Sequence, residues 1–193
     1  MIISIIGPSG CGKGTQAEML SERLGIPAIS SGQLHRDAVA TDTFLGKEVK
    51  SYIDRGVWPP DDLVMKIIRP RLTEPDCAGG FIIDGSPRAI GQVPLLDELF
   101  SKIGQRLDFV FHLDTSEETS VDRILKRESL TVAAGSAPRS DATPEAIRRR
   151  IAEYQRTIAP VLDAYEKRGV LRRINNERPI KEVHEDILKR IKP

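Results

Sequence analysis

The sequence has little of several features that would each point to a particular class of protein. Its 193 residues include only two cysteines, Cys11 and Cys77, which are too few for a zinc ribbon or a disulfide framework. We therefore expect no bound zinc, and a reducing cytoplasm as the compartment. The formal net charge is only +1, so no global field would recruit nucleic acid or an anionic membrane.

Long hydrophobic runs are also missing. The apolar opening Met1–Ile6 is stopped by Gly7 and Pro8 and has no basic segment before it, so it does not resemble a secretory signal. No window approaches the length of a membrane-spanning helix, and no heptad pattern is present. We therefore expect a cytoplasmic monomer that associates with neither membranes nor nucleic acid.

Short apolar runs alternate with amphipathic stretches, which predicts an α/β fold with a five-stranded parallel sheet covered by helices on both faces. The predicted strands are rich in Ile, Val or Phe, as strands buried on both faces should be: Ile2–Ile6, Pro27–Ile29, Phe81–Asp84, Leu107–Leu113 and Val170–Ile174. The predicted helices are Lys13–Leu24, Gly32–Ala40, Leu45–Arg55, Asp62–Leu72, Ile90–Ile103, Glu117–Lys126, Pro144–Lys167 and Pro179–Ile191.

Two irregularities are expected within this pattern. Pro160 lies inside the seventh predicted helix and should kink or split it, because proline removes a helical hydrogen bond. The stretch Glu128–Thr143 contains Gly, Ser, Ala and Pro without apolar periodicity, so it is expected to form a mobile surface loop.

The strongest chemical signal follows the first strand directly, as Gly7-Pro8-Ser9-Gly10-Cys11-Gly12-Lys13-Gly14-Thr15. Glycines let backbone N–H groups converge on a phosphate chain, and the following helix directs its positive end at the anion. Lys13 can reach the β- and γ-phosphates, and the Thr15 hydroxyl is placed for phosphate or Mg²⁺, although Gly14 intervenes where the generic pattern has Ser or Thr. The alternative, a glycine-rich turn before a surface lysine, does not explain why strand, glycines, lysine and helix occur in the required order.

The segment Gly7–Gln16 resembles the opening loop of adenylate kinases, and four further segments resemble that family in the right order. Ser30–Arg36 is similar to the segment that holds the monophosphate, and Gly56–Asp61 to the loop along the acceptor base. Asp84–Arg88 with Gln92 resembles the Asp-Gly-Phe-Pro-Arg motif and its base-reading glutamine. The arginines around and behind the lid correspond to Arg123, Arg127, Arg139 and Arg150.

The resemblance extends from residue 1 to about Tyr165 and implies a P-loop NTPase three-layer fold. It implies one nucleoside monophosphate kinase domain over residues 1–193, with a P-loop core, an acceptor-binding helical segment at about 30–60 and a short lid at about 128–143. The lid lacks the inserted subdomain and metal-binding cysteines of some relatives. The implied reaction is reversible, Mg²⁺-dependent phosphoryl transfer from ATP to AMP, which gives two ADP.

The resemblance also implies a role for individual residues. The implied catalytic residues are Lys13, Asp84, Arg88, Arg123, Arg139 and Arg150. The implied ATP-binding residues are Gly10, Cys11, Gly12, Lys13, Gly14, Thr15, Arg123 and Arg127. The implied AMP-binding residues are Ser31, Arg36, Val57, Pro59, Gly85, Arg88, Gln92, Arg139 and Arg150. Mg²⁺ would be held through phosphates and waters near Thr15 and Asp84, without a cage of protein ligands.

The arginines can also be assessed on physical grounds. Arg123 and Arg127 are four residues apart on one predicted helix, which costs roughly 0.2–0.5 kcal/mol unless an anion lies between them. The alternative is a solvated basic face. Arg150 borders the buried stripe predicted for the seventh helix (Ile147, Ile151, Tyr154 and Ile158) and can lean into a cleft, whereas Arg148 is better placed for solvent.

Other candidates have similar alternatives. Asp84 falls at the carboxyl edge of the sheet, where ligands bind, but could be a simple turn aspartate. The spacing of four between Arg88 and Gln92 would place both on one helical face, where they could hold the phosphate and base of one nucleotide. Trp58 is interpreted as a core anchor.

Three departures from the family pattern leave other functions open. Gln33 replaces the usual aspartate, Ser86 replaces the usual aromatic residue, and Pro59-Pro60 stiffens the base-contacting loop. A UMP/CMP kinase shares this scaffold, although Gln92 favours AMP. A nucleotide-binding regulator that has lost phosphoryl transfer is the alternative from another class, and a P-loop ATPase or GTPase would need switch segments that the sequence does not indicate.

Overall fold

The computed structural model describes residues 1–41, 43–53, 55, 57–135 and 143–191. The strands are β1 (Ile2–Ile6), β2 (Ala28–Ser30), β3 (Phe81–Asp84), β4 (Leu107–Asp114) and β5 (Leu171–Asn175). The helices are α1 (Lys13–Leu24), α2 (Ser31–Ala40), α3 (Phe44–Ile53), α4 (Asp61–Leu72), α5 (Gln92–Lys102), α6 (Glu117–Ala133), α7 (Pro144–Lys167) and α8 (Ile180–Ile191), with a short 3-10 turn at Pro75–Cys77.

The five strands form one parallel sheet in the order β2-β3-β1-β4-β5. β1 lies at the centre, where Ile5 is paired with Asp84 of β3 and with Phe111 of β4. All carboxyl ends of a parallel sheet lie along one edge, so the segments that follow β1, β2, β3 and β5 are brought together there.

Helices cover both faces of the sheet, as predicted. Alternate residues of β1 point to opposite faces, so Ile2 packs in a cluster with residues of α4 and α5, while Ile3 packs in another with residues of α1 and α8. Ile6 joins Val110 and the apolar side of α7, including Tyr165. The predicted α/β three-layer fold is thereby confirmed.

One expectation about the helices was wrong. Residues 128–133 do not form a loop but continue α6 to Ala133. Side-chain hydroxyls there bond back to the helix, from Ser129 to the Lys126 carbonyl and from Thr131 to the Arg127 carbonyl. The helix ends just before Gly135, which has a φ of 78°. Of the two outcomes expected at Pro160, a kink or a split, the split does not occur: α7 is one helix from Pro144 to Lys167, and its buried stripe continues on both sides of Pro160 through Tyr154, Ile158 and Val161.

The remaining part of the predicted loop, residues 136–142, lies outside the described residues. In the part of the chain that the structure describes, no helix is both long and apolar enough to cross a membrane.

Candidate active site

The glycine-rich loop joins the central strand β1 to α1, so the amino end of α1 faces the space beyond the sheet edge. Gly10 has a φ of 84°, a conformation that side chains rarely adopt. A Cβ at Gly10 would lie 2.4 Å from the Ser120 carbonyl oxygen of α6. Glycine therefore allows both the turn and the close approach of α6 to the loop.

Lys13 folds back over this loop. Its Nζ donates to the carbonyl oxygens of Gly7 at 3.0 Å and Pro8 at 2.8 Å. Cys11 is fully buried behind it, and burial raises the pKa of its thiol. The ammonium thus lies where the phosphates of a nucleotide would meet the loop.

Asp84 ends β3 next to the loop. It is only 9% exposed, and its Oδ1 has no hydrogen-bond partner among the described residues. Its Oδ2 lies 3.7 Å from the position that a Cβ on Gly14 would occupy. A buried carboxylate oxygen without a donor, beside a phosphate loop, suits a metal-bound water.

Arg88 lies in the loop after β3 and is held from several directions. Its Nε donates to the Gly85 carbonyl at 2.6 Å, and its Nη2 donates to Ser31 Oγ at 3.4 Å. Burial lowers the pKa of Arg88 to about 10; Asp84 opposes this shift, while Arg150 and Arg36 add to it. Arg88 is therefore still protonated at neutral pH, within a cluster of three guanidinium groups. Such a cluster of positive charges favours the binding of an anion.

Gln92 begins α5, and its Oε1 accepts the backbone N–H of Arg88 at 2.9 Å. The predicted common helical face of Arg88 and Gln92 is wrong, because Arg88 precedes the helix, which begins only at Gln92. The two residues are nevertheless adjacent through this hydrogen bond.

Arg36 projects from α2, and its Nη2 donates to Gln33 Oε1 at 2.7 Å. The other end of the Gln33 amide donates to Asp37 Oδ1 at 2.7 Å. The glutamine that replaces the family's usual aspartate therefore contacts Arg36 through a neutral amide.

The α6 arginines have different environments. Arg123 bridges two backbone carbonyls, donating to Cys11 at 3.1 Å and Asn176 at 3.0 Å. Arg127 pairs with the largely buried Glu128, with 2.8 Å between Nη2 and Oε1.

Arg150 is partly buried on α7, whereas Arg148 is exposed, as predicted. The predicted site residue Arg139 lies outside the described residues.

The structure brings the other predicted residues to one cavity of about 860 Å³, near the upper end of the usual range for ligand sites. Its lining includes Gly10, Cys11, Gly12, Lys13, Gly14, Thr15, Ser31, Arg36, Val57, Pro59, Asp84, Gly85, Arg88, Gln92, Arg123, Arg127 and Arg150. Lys13, beside the loop, and Arg123, on α6, form one cationic group of the lining. A second cationic group consists of Arg36, Arg88 and Arg150. The cavity can therefore hold two anionic groups close together.

The sequence analysis missed a segment after β5 that also lines the cavity, with Asn176, Arg178 and Ile180. The buried Asn176 donates through Nδ2 to the Cys11 carbonyl and, at 2.9 Å, to Thr115 Oγ1. A signal was available, because residues that follow a strand of a parallel sheet lie at the ligand-binding edge.

A parallel sheet with a glycine-rich loop and a lysine-bearing helix after its central strand defines a P-loop nucleotide-binding protein. The sequence model of the adenylate kinase family matches residues 5–170 of this chain. Adenylate kinases of Brucella melitensis biotype 1, Brucella ovis and Brucella suis biovar 1 are each 41% identical to it over 97% of this chain and 96% of their own length. The chain belongs to the adenylate kinase family.

Family membership confirms the predicted class of enzyme, a nucleoside monophosphate kinase. It does not favour the two open alternatives, a UMP/CMP kinase and a regulator without catalytic activity. The roles of individual residues remain predictions.

Proposed function

We propose that this chain catalyses reversible, Mg²⁺-dependent transfer of the γ-phosphoryl group of ATP to AMP, giving two ADP. The observation that carries the proposal is the cavity itself, which has the phosphate loop and Lys13 at one part and the cluster of Arg36, Arg88 and Arg150 at another. Two polyanions need two such cationic groups. The names of the similar proteins from Brucella support AMP as acceptor.

Arg88 is the main ligand of the acceptor phosphate in this proposal. Its Nε and Nη2 are directed by Gly85 and Ser31, so the guanidinium is held in place before the acceptor arrives. The positive charges of the three arginines would attract the phosphate, which links acceptor binding to charge rather than to shape alone. Val57, Pro59 and Gln92 line the part of the cavity assigned to the base.

Lys13 and Arg123 hold the donor phosphates. An oxygen of the acceptor phosphate forms the new bond to the γ-phosphorus, and the bond from that phosphorus to the β–γ bridging oxygen breaks. The attacking oxygen is already anionic at neutral pH, so no general base is needed. The protein contributes alignment and charge stabilisation, and closure of the proposed lid at about 128–143 with Arg139 excludes competing water.

The residues near Thr15 and Asp84 fit Mg²⁺, because Asp84 Oδ1 is buried without a donor from the described residues and Thr15 lines the same cavity. When bound, Mg²⁺ would neutralise charge on the transferring phosphates. The described residues contain no group of three or more His, Cys, Asp or Glu side chains that could cage a metal, so phosphates and waters would complete its coordination.

The assigned organisation is one domain over residues 1–193, with an acceptor-binding segment at about 30–60 around α2 and α3. A cytoplasmic monomer is part of the same proposal.

The test is a panel of AMP, CMP, UMP, GMP and dTMP, each with ATP and Mg²⁺, with ADP formation measured on the purified chain. AMP should be the preferred acceptor. Lys13→Met should abolish ADP formation, and Arg88→Ala should raise KM for AMP far more than KM for ATP. Arg148→Ala on the exposed side of α7 is the matched control and should change neither. ATP binding without ADP formation from any acceptor would refute the proposal.

A further inference from the structure

Trp58 lies directly against Arg88. The Arg88 Cζ is 4.2 Å from the centroid of the Trp58 ring, the shortest such distance among the cation–π contacts of the described residues. The indole also packs against the buried cluster that contains Ile6, Val93 and Tyr154. The ring is therefore in contact with both the protein core and the guanidinium.

We infer that Trp58 is a positioning residue that fixes the plane of the Arg88 guanidinium for the acceptor phosphate. The inference rests on the proposed function, in which Arg88 binds that phosphate. Gly85 and Ser31 hold two N–H edges of the guanidinium, and the indole covers one of its faces. Together they leave Nη1, which has no hydrogen bond within the described residues, for the acceptor.

The backbone around Trp58 is unusually restricted. Trp58 precedes Pro59, and a residue before proline is excluded from much of the helical region. Pro59 is buried, and Pro60 is the N-cap residue of α4 with a φ of −53°. The two prolines therefore restrict the backbone that carries the indole. This gives a structural reason for Pro59-Pro60, one of the departures from the family pattern.

An aromatic ring suits this task better than a carboxylate would. The negative face of the ring stabilises a buried cation, yet it brings no net charge that would compete with a phosphate for Arg88. The Trp58 Nε1 is buried without a hydrogen-bond partner in the described part of the chain. Phenylalanine would avoid the cost of that buried N–H, but tryptophan gives the stronger attraction for a cation.

The kinetic test compares Trp58→Leu, which keeps an apolar side chain without a π-face, with Trp58→Phe, which keeps a smaller ring. KM for AMP should rise about tenfold in the leucine variant and about threefold in the phenylalanine variant, with kcat and KM for ATP within about twofold of wild type. This order and this separation of constants would not follow from a general loss of structure. Unchanged KM for AMP in Trp58→Leu, or equal rises for AMP and ATP, would overturn the inference.

A second measurement uses the chain's only tryptophan and needs no substitution of it. AMP should shift the Trp58 emission saturably, and ATP alone should not. Arg88→Ala should shift the emission of the ligand-free protein, whereas Arg148→Ala should not. An emission spectrum that is indifferent to both AMP and Arg88→Ala would overturn the inference. This readout needs no turnover, so it separates failure of the Trp58 contact from failure of the proposed function, which would show as absence of ADP formation by the wild type.

Discussion

Replacing Asn176 with alanine should weaken both the fold and the donor part of the site. The Asn176 Nδ2 donates to the Cys11 carbonyl of the phosphate loop and to Thr115 Oγ1 after β4. The side chain is almost wholly buried, so water would not easily replace these bonds. Asn176→Ala therefore removes a direct link between the β4 and β5 ends and the loop.

The magnitude follows from the two bonds. Each hydrogen bond contributes about 1 kcal/mol net. In the variant the Cys11 carbonyl would still accept from Arg123, so only the Thr115 hydroxyl oxygen would be left without its donor. We expect the free energy of unfolding to fall by about 2 kcal/mol. For a chain of this length, that corresponds to a fall in Tm of roughly 4–8 °C.

Thermal unfolding measures the stability, and initial rates at varied ATP and AMP measure the function. KM for ATP should rise severalfold and KM for AMP should stay constant. Asn175→Ala is the matched control, since Asn175 is exposed and only caps the Glu177 N–H at 3.0 Å. A Tm within 1 °C of wild type for Asn176→Ala, or equal losses in the two variants, would refute this reasoning.

Two further predictions concern pH and backbone geometry. Burial, with Arg88 and Arg36 nearby, lowers the pKa of His35 from 6.5 to about 4. Between these two values the unfolded state binds more protons than the folded state. The stability that is present above pH 6.5 is therefore lost as the pH falls toward 4. His35→Leu should flatten this part of the profile in urea unfolding, and an unchanged slope would contradict the assignment. Gly10→Ala should lower Tm more than Gly135→Ala, because both have positive φ but only Gly10 would place a Cβ against Ser120; equal falls in Tm would contradict the clash.

The fold was predictable because its signals are local. Strands such as Ile2–Ile6 and Phe81–Asp84 are continuous apolar runs, and only a sheet buried on both faces accommodates them. The phosphate loop has its glycines, lysine and helix within nine residues of chain, Gly7–Thr15. Such patterns need no knowledge of distant contacts.

The errors arose where structure depends on more than a local pattern. Residues 128–133 lack the apolar periodicity that identifies a helix, and Leu130 and Val132 are exposed in the structure. The hydroxyl groups of Ser129 and Thr131 nevertheless bond to carbonyls within α6. Asn176 is 165 positions from Cys11, and no spacing rule connects them. The contact between Trp58 and Arg88 likewise joins two loops that meet only at the sheet edge.

Because β1 is the central strand, the residues proposed to bind the acceptor and those proposed to bind the donor lie mainly on opposite sides of it. β2 and β3 lie on one side, where Ser31 and Arg88 line the proposed acceptor part of the cavity, and β4 and β5 lie on the other, where Asn176 and Arg123 contact the phosphate loop. Under the proposed function, substitutions on the β3 side, apart from Asp84 at the proposed Mg²⁺ site, would therefore change the acceptor part of the cavity before the donor part. A scaffold with this division can diversify one substrate at a time.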